Sequence, residues 1–137
     1  MSGATVSEGN SGSKPVDVTV TLGMAPVTTV VVWFETVDGT GHAGQDYVAA
    51  SGYVMFAPGE VSKVISFLVL GDTLVEANEI FQVRLTSAIG AALGTGMGTI
   101  TISNDDSKPS LALTGSLNGA EQGQTPITFT ITRTTNL

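Results

Sequence analysis

The sequence predicts an all-β, two-sheet antiparallel sandwich followed by the opening of a second, partial repeat. Apolar residues alternate with polar ones at a period of two in one run after another. Turn residues separate these runs about every 8–12 positions, and the i, i+3, i+4 spacing of an amphipathic helix is nearly absent.

Residues 4–7 supply a short first strand. Val16, Val18, Val20 and Leu22 then alternate with Asp17, Thr19 and Thr21, as in a half-buried strand, until Gly23 to Pro26 breaks the run. Residues 27–36 carry the continuous apolar stretch Val30, Val31, Val32, Trp33, Phe34. Such a run suits a strand covered on both faces or the centre of a sandwich, and Asp38 with Gly39 closes it by turn chemistry. Strands over 52–56, 62–70, 79–86 and 98–103 follow, with Phe81, Val83 and Leu85 inward and Gln82 and Arg84 outward. Seven short strands over about 100 residues have an immunoglobulin-like outline. The glycine-rich stretch 94–98 lacks the Lys-Ser/Thr of a phosphate-binding loop and leads into a strand, so it reads as a hairpin turn.

Composition narrows the function classes. Twelve acids against five bases give a net charge of -7 in 137 residues, which disfavours nucleic acid or an anionic membrane surface as partner. Cysteine is absent, which excludes a disulfide framework, a thiolate nucleophile and a cysteine-based zinc site. No apolar run approaches the roughly 20 residues of a membrane helix, so no membrane insertion is expected. Abundant Thr, Ser, Gly and Val with few Lys point to an extracellular or cell-surface β-protein.

Six carboxylates stand at the mouths of the expected strands: Glu8, Asp46, Asp72, Glu76, Asp105 and Asp106. Gathering so many like charges is unfavourable unless a cation lies between them. A hard divalent ion taking about 6–8 oxygen ligands is the natural candidate, with calcium first. Solvated turn acids are the alternative at each position. Glu79 reads as capping the outward edge of its strand, Glu60 as turn chemistry after Pro58 and Gly59, and Tyr47 and Phe81 as core.

An internal repeat divides the chain into a sandwich over 1–106 and a remainder over 107–137. Ser7, Glu8, Gly9 and the run from Pro15 to Leu22 return in outline as Ala120, Glu121, Gln122, Gly123 and the run from Pro126 to Arg133. The remainder holds about two strands, too few to bury a core. Ile127, Phe129 and Ile131 form an apolar face that seeks an edge. Either the natural chain continues, or the tail is donated to a neighbouring copy as a head-to-tail fibre, or it frays.

Several of these residues form one ordered pattern. Val6-Ser7-Glu8-Gly9 is followed by Asp38-Gly39-Thr40, Ala43-Gly44-Gln45-Asp46-Tyr47, Ser51-Gly52 and Phe56-Ala57-Pro58-Gly59-Glu60. Asp72, Glu76-Ala77-Asn78-Glu79-Ile80-Phe81, Leu85 and Thr101-Ile102-Ser103-Asn104-Asp105-Asp106 complete it. Over residues 4–106 the chain resembles the Calx-beta domain of sodium-calcium exchangers and of bacterial surface and adhesion proteins. The resemblance implies a seven-stranded sandwich with calcium at its distal loops. It assigns Glu8, Asp46, Asp72, Glu76, Asp105 and Asp106 to ligand positions. Gly71 and Thr73 stand where calcium-rich members carry more acids, and Asn104 where the closing run is often Asp, which implies one or two ions instead of a larger cluster.

The expected function is a structural calcium-binding module of an extracellular repeat or filament-forming protein, with neighbouring copies or adjacent repeats as partners. A calcium-sensing regulatory module and a metal-independent adhesion domain are the alternatives. An enzyme is not expected: His42 is the sole histidine, and no nucleophile-elbow serine is present. The aromatic residues fall mostly at expected inward positions, and no exposed aromatic platform is legible.

Overall fold

The computed structural model describes residues 3–94, 96–115 and 129–134, and its regular elements are all β-strands. Seven lie in the first part: β1 (Ala4–Ser7), β2 (Ser13–Thr21), β3 (Val30–Asp38), β4 (Ser51–Phe56), β5 (Ser62–Leu70), β6 (Glu79–Ile89) and β7 (Met97–Ser103). Two more, β8 (Ser110–Gly115) and β9 (Phe129–Thr134), pair antiparallel with each other.

One layer of the sandwich has five strands in the order β1-β7-β6-β3-β4, and the other has two, β2 and β5. All neighbours are antiparallel except β1 and β7, which run parallel with Ala4 opposite Ile100 and Ser7 opposite Ser103. The period-2 pattern explains the two layers. Val16, Val18 and Val20 of β2 and Ile65, Phe67 and Val69 of β5 face inward against Val30, Val32, Phe56, Phe81, Val83, Ile100 and Ile102. Pro15 fits inside β2 because that strand is at an edge, where a missing N–H breaks no ladder bond.

Strand direction gives the sandwich two distinct poles. The chain leaves β7 at the pole that also holds the turns 8–12, 39–50 and 71–78, and eight of its twelve acids gather there: Glu8, Asp38, Asp46, Asp72, Glu76, Glu79, Asp105 and Asp106. The opposite pole, built from 22–29, 57–61 and 90–94, carries a single acid among its described residues, Glu60. Away from the acidic pole each described acid has its own partner. Asp17 accepts a hydrogen bond from Ser66, Glu35 pairs with Arg84, and Glu60 pairs with Lys63.

Tyr47 ties the acidic turns to the core. Its ring is 1% exposed and stacks on Phe81 with centroids 4.0 Å apart and planes 5° from parallel. Its hydroxyl donates to Asp38 Oδ1 at 2.5 Å, so the ring is dry while its polar tip is satisfied. Burial, then that hydrogen bond to a carboxylate, push the phenol up to about 12. Asp38 is held below the usual carboxylate range, first by the Tyr47 hydroxyl and then by the Ala43 N–H.

Three expectations need correction. β3 starts at Val30, not at 27: Val27 is 91% exposed, in a loop where Pro26 accepts a hydrogen bond from Gly59. Of the two readings of its apolar run, a place at the centre of the sandwich holds, with Val30 and Val32 in the core, and coverage on both faces does not. Val31 and Trp33 point outward beside Met55 and Tyr53, and Trp33 and Tyr53 form an aromatic pair 6.3 Å apart on an uncovered sheet face. β6 also runs on to Ile89, because a bulge sets Trp33 opposite Ser87 and Phe34 opposite Leu85, which interrupts the alternation on which its end had been placed. Ile127 lies outside the described residues, as does Glu121, while Ile131 is exposed in β9.

The burial pattern separates two aromatic substitutions. Phe81→Ala, which removes a fully buried ring and the surface on which Tyr47 stacks, is expected to cost about 3–5 kcal/mol of unfolding free energy. Tyr53→Ala, at a 59% exposed position, is expected to cost no more than about 1 kcal/mol. Urea unfolding of the two variants checks this.

Candidate metal centre

Backbone pairing builds the first acidic group. The Glu8 N–H donates to Ser103 O at 3.2 Å, which extends the β1–β7 ladder by one residue and sets Glu8 beside the closing run 104–106. One carboxylate oxygen each from Glu8, Asp105 and Asp106 lie within 4.8 Å of one another. Asp105 accepts from Ser7 Oγ at 2.6 Å and from the Gly9 N–H at 3.0 Å, and the Ser7 hydroxyl in particular holds its carboxyl below the usual range. Asn104 organises the turn: its amide nitrogen donates to Asp106 O at 3.2 Å, and its amide oxygen accepts from the Asp106 N–H at 3.3 Å. Its own N–H donates to Asn78 Oδ1 at 3.1 Å. An aspartate at 104 has no amide donor for the first of these bonds, so the departure from the usual Asp is structural.

The second group draws on three different turns and strands. Carboxylate oxygens of Asp46, Glu76 and Glu79 also lie within 4.8 Å of one another. Asp46 is 9% exposed, and its Oδ2 accepts from the His42 N–H at 2.7 Å. Its backbone oxygen accepts from the Leu70 N–H at 2.9 Å, which fastens the turn to the end of β5. Glu79 is the first residue of β6, opposite Ile102, and its carboxylate turns into this group instead of capping an outward edge. The signal for it in sequence was its spacing from Glu76, which brings two acids to one strand mouth. His42 stands at the rim, 3.5 Å from Asp38.

Asp72 belongs to neither group. Its Oδ1 accepts from the Leu74 N–H at 2.7 Å in a local turn, yet its charge reaches Glu8. Of the six acids assigned from sequence, Glu8, Asp105 and Asp106 are thus brought into one group and Asp46 and Glu76 into another, with Asp72 beside the first. Gly71 explains why no further acid stands next to Asp72. The Gly71 N–H donates to Gly12 O at 3.0 Å, and a Cβ on Gly71 would overlap the carbonyl oxygen of Gly9. The 8–12 turn fills the space that a side chain needs.

The electrostatics show what this arrangement lacks. Glu8 is pushed up from 4.5 to about 7, first by burial and then by the charges of Asp72, Glu76, Asp106 and Asp105. Glu79 is raised by burial, by its hydrogen bond with Asp46 and by the charges of Asp46 and Glu76. Glu76 acts on both groups, so they form one electrostatic system. Two buried oxygens, Glu8 Oε1 and Asp106 Oδ2, have no hydrogen-bond partner among the described residues. Unpartnered buried carboxylate oxygens are costly, and a hard cation between them satisfies both while reversing the repulsion. The residues therefore fit an oxygen-liganded divalent cation.

The raised Glu8 value fixes the sign of a pH effect. The folded protein holds that proton more tightly than the unfolded chain, so this contribution to stability is fully present below about 4.5 and is lost as pH rises through about 7. In chelator, Tm is expected to fall as pH is raised from about 5.5 to about 8, and Glu8→Gln is expected to flatten that fall and raise Tm at the upper end. Gly71→Asp, read by calorimetry and ion titration, is expected to lose about 1–3 kcal/mol by overpacking and to add no ion.

The sequence profile described as the Calx-beta domain matches residues 2–106. The chain is 36% identical over 97 residues to sodium/calcium exchanger 1 of Rattus norvegicus, covering 57% of this chain and 10% of that protein. It is 37% identical over 89 residues to adhesion G-protein coupled receptor V1 of Danio rerio, covering 65% of this chain and 1% of that protein. The chain thus spans a tenth or less of the length of these two relatives. Among solved structures, the apo-form Calx CBD1 domain superposes with a TM-score of 0.68 at 30% identity, over 77% of this chain and 91% of that one. The calcium binding domain CBD12 of CALX1.1 superposes with a TM-score of 0.69 at 29% identity, over 77% of this chain and 42% of that one. On the profile match over residues 2–106, together with the superposed sandwich fold, the chain belongs to the Calx-beta domain family.

Proposed function

We propose that this chain is a calcium-binding module whose ions tie its exit segment to its own first strand. The observation that carries the reading is the pair of buried, unpartnered oxygens, Glu8 Oε1 from the end of β1 and Asp106 Oδ2 from the segment after β7. An ion held by Glu8, Asp105 and Asp106 joins the two ends of the domain. A second, held by Asp46, Glu76 and Glu79, joins the 39–50 turn to the start of β6. Two groups accord with one or two ions. Each would take further oxygens from backbone or water, since calcium prefers about 6–8.

Mechanically, the ion stiffens a junction. Ser7 and Gly9 already hold Asp105, and Asn78 and Asn104 shape the turn around it, so the residues leaving β7 start from a defined position. Neutralising Glu8 and its neighbours removes the repulsion that opposes this turn. In a repeat or filament at a cell surface the result is a rigid link between successive modules. Affinities of about 10⁻⁴–10⁻³ M suffice outside the cell. Occupancy at about 100 times Kd adds roughly 2.7 kcal/mol to stability.

A calcium-sensing switch is the second reading, favoured by the identity shared with exchanger relatives. It requires micromolar affinity and a partner domain to move. The turn around Asp72, in which Gly71 and Thr73 carry no charge, favours the weaker, structural site.

Thermal unfolding with calcium titrated against a chelator, and magnesium as control, tests both. A calcium-specific rise in Tm that saturates near millimolar is expected for the structural module. Saturation at micromolar concentrations assigns the switch. An unchanged Tm in calcium sinks the ion reading altogether.

A further inference from the structure

The two layers of the sandwich are unequal, and the deficit falls at β2. This strand hydrogen-bonds to β5 on one side, and among the described residues no strand pairs with its other edge. The far side of β5, by contrast, is partly closed by backbone bonds from Val48 to Leu68 and from Leu70 to Asp46, each 2.9 Å. The open edge of β2 runs into a cavity of about 820 Å³ at the pole opposite the acidic one, whose lining includes Val20, Thr21, Leu22, Met24, Leu85 and Leu93. An unpaired edge beside such a recess is a strand-acceptor site.

The internal repeat says which strand fits. The run from Pro126 to Arg133 repeats the run from Pro15 to Leu22, so β9 is the counterpart of β2, and β9 has an antiparallel partner in β8. In that pairing Leu111 stands opposite Arg133, Ala112 opposite Thr132 and Leu113 opposite Ile131. Carried back along the repeat from Pro126 to Pro15, the register sets Leu111 opposite Leu22, Ala112 opposite Thr21 and Leu113 opposite Val20. The leucines then fall opposite Val20 and Leu22, which line the cavity together with Thr21 between them, and Ala112 falls opposite exposed Thr21. The register also ends before Pro15, whose missing N–H would interrupt a ladder.

We infer that the open edge of β2 accepts the β8 segment, Ser110–Gly115, of a second copy of this chain. The chain's own β8 cannot reach. Asp105 is fastened to Ser7 and Gly9 at the acidic pole, and the four steps from Asp106 to Ser110 span about 14 Å at full extension. The acceptor residues lie at the other end of a nine-residue strand, about 27 Å away. The β8–β9 hairpin also has reason to exchange. Two-stranded pieces are marginal alone, and Leu111 and Ile131 are 71% and 66% exposed in it. Donor and acceptor occupy opposite poles, so each copy can give a strand and receive one, and the contact repeats without closing.

The chain has no native cysteine, so a directed cross-link reads the contact cleanly. Ala112→Cys and Thr21→Cys are made separately in the full chain, mixed and oxidised, with Thr5→Cys on β1 as the off-site control partner. A disulfide-linked dimer of the Ala112→Cys and Thr21→Cys chains is expected, with none to the control. The double variant is expected to give a ladder of multimers on a non-reducing gel. Sedimentation velocity of the unmodified chain, expected to show concentration-dependent oligomers, needs no substitution and guards against a misfolded variant. A monomer at all concentrations, or a double variant that closes only on itself, overturns the inference. Running each arm in calcium and in chelator separates it from the ion reading, since failure of the Tm shift leaves the cross-link result standing.

Discussion

Mutual repulsion among carboxylates gathered at one pole is the constraint around which this domain is organised. Strand ends deliver Glu8, Glu79 and Asp106, and a turn fastened to β5 delivers Asp46, so the groups cannot relax by swinging apart into water. The cost is visible in Glu8, which titrates near neutrality, and in two buried oxygens without partners. Other groups at that pole accommodate the charge: Ser7 and Gly9 donate to ionised Asp105, Asn104 and Asn78 set the closing turn, and the His42 N–H holds Asp46. A protein that pays for such an arrangement in its ion-free state is built for the state in which a cation is present.

The scaffold makes this possible by fixing the loops from below. Tyr47 stacks on Phe81, and Phe81 sits in β6 between β3 and β7, so the turn that carries Asp46 rests on the centre of the larger sheet. The same residue reaches Asp38 through its hydroxyl. Burial of one aromatic ring thereby locates two acidic turns, and packing and charge are coupled through a single side chain.

Much of this was legible in the residues and some was not. Alternation in β2, β5 and β7 identifies their inward valines, isoleucines and phenylalanine because a half-buried strand has no other way to hide them. Strand ends were less readable where a local event breaks the period. The bulge between Trp33 and Phe34 shifts the β6 pairing, and the apolar Val27 sits in a loop. The outward Trp33 and Tyr53 were missed because composition cannot say which face of an apolar strand is covered. At the site, turn acids stand out as a class, but their partition depends on which loops meet in space. Glu79 was therefore assigned to its strand's edge, and the reason for Gly71 appears only when Gly9 is seen lying on it.

The parallel pairing of β1 with β7 has a further meaning for a domain loaded in tension. A pull on the residues before Ala4 and after Ser103 draws the two strands past each other along their length, because they run the same way and are gripped at opposite ends. Their hydrogen bonds are then sheared together instead of being opened one by one. The bond from Glu8 to Ser103 and the contacts of Asp105 with Ser7 and Gly9 lie at the end of that ladder where the force leaves the domain. Under such a pull the acidic pole is where the β1–β7 ladder ends, and the contacts of Asp105 with Ser7 and Gly9 are strained together with its last hydrogen bonds.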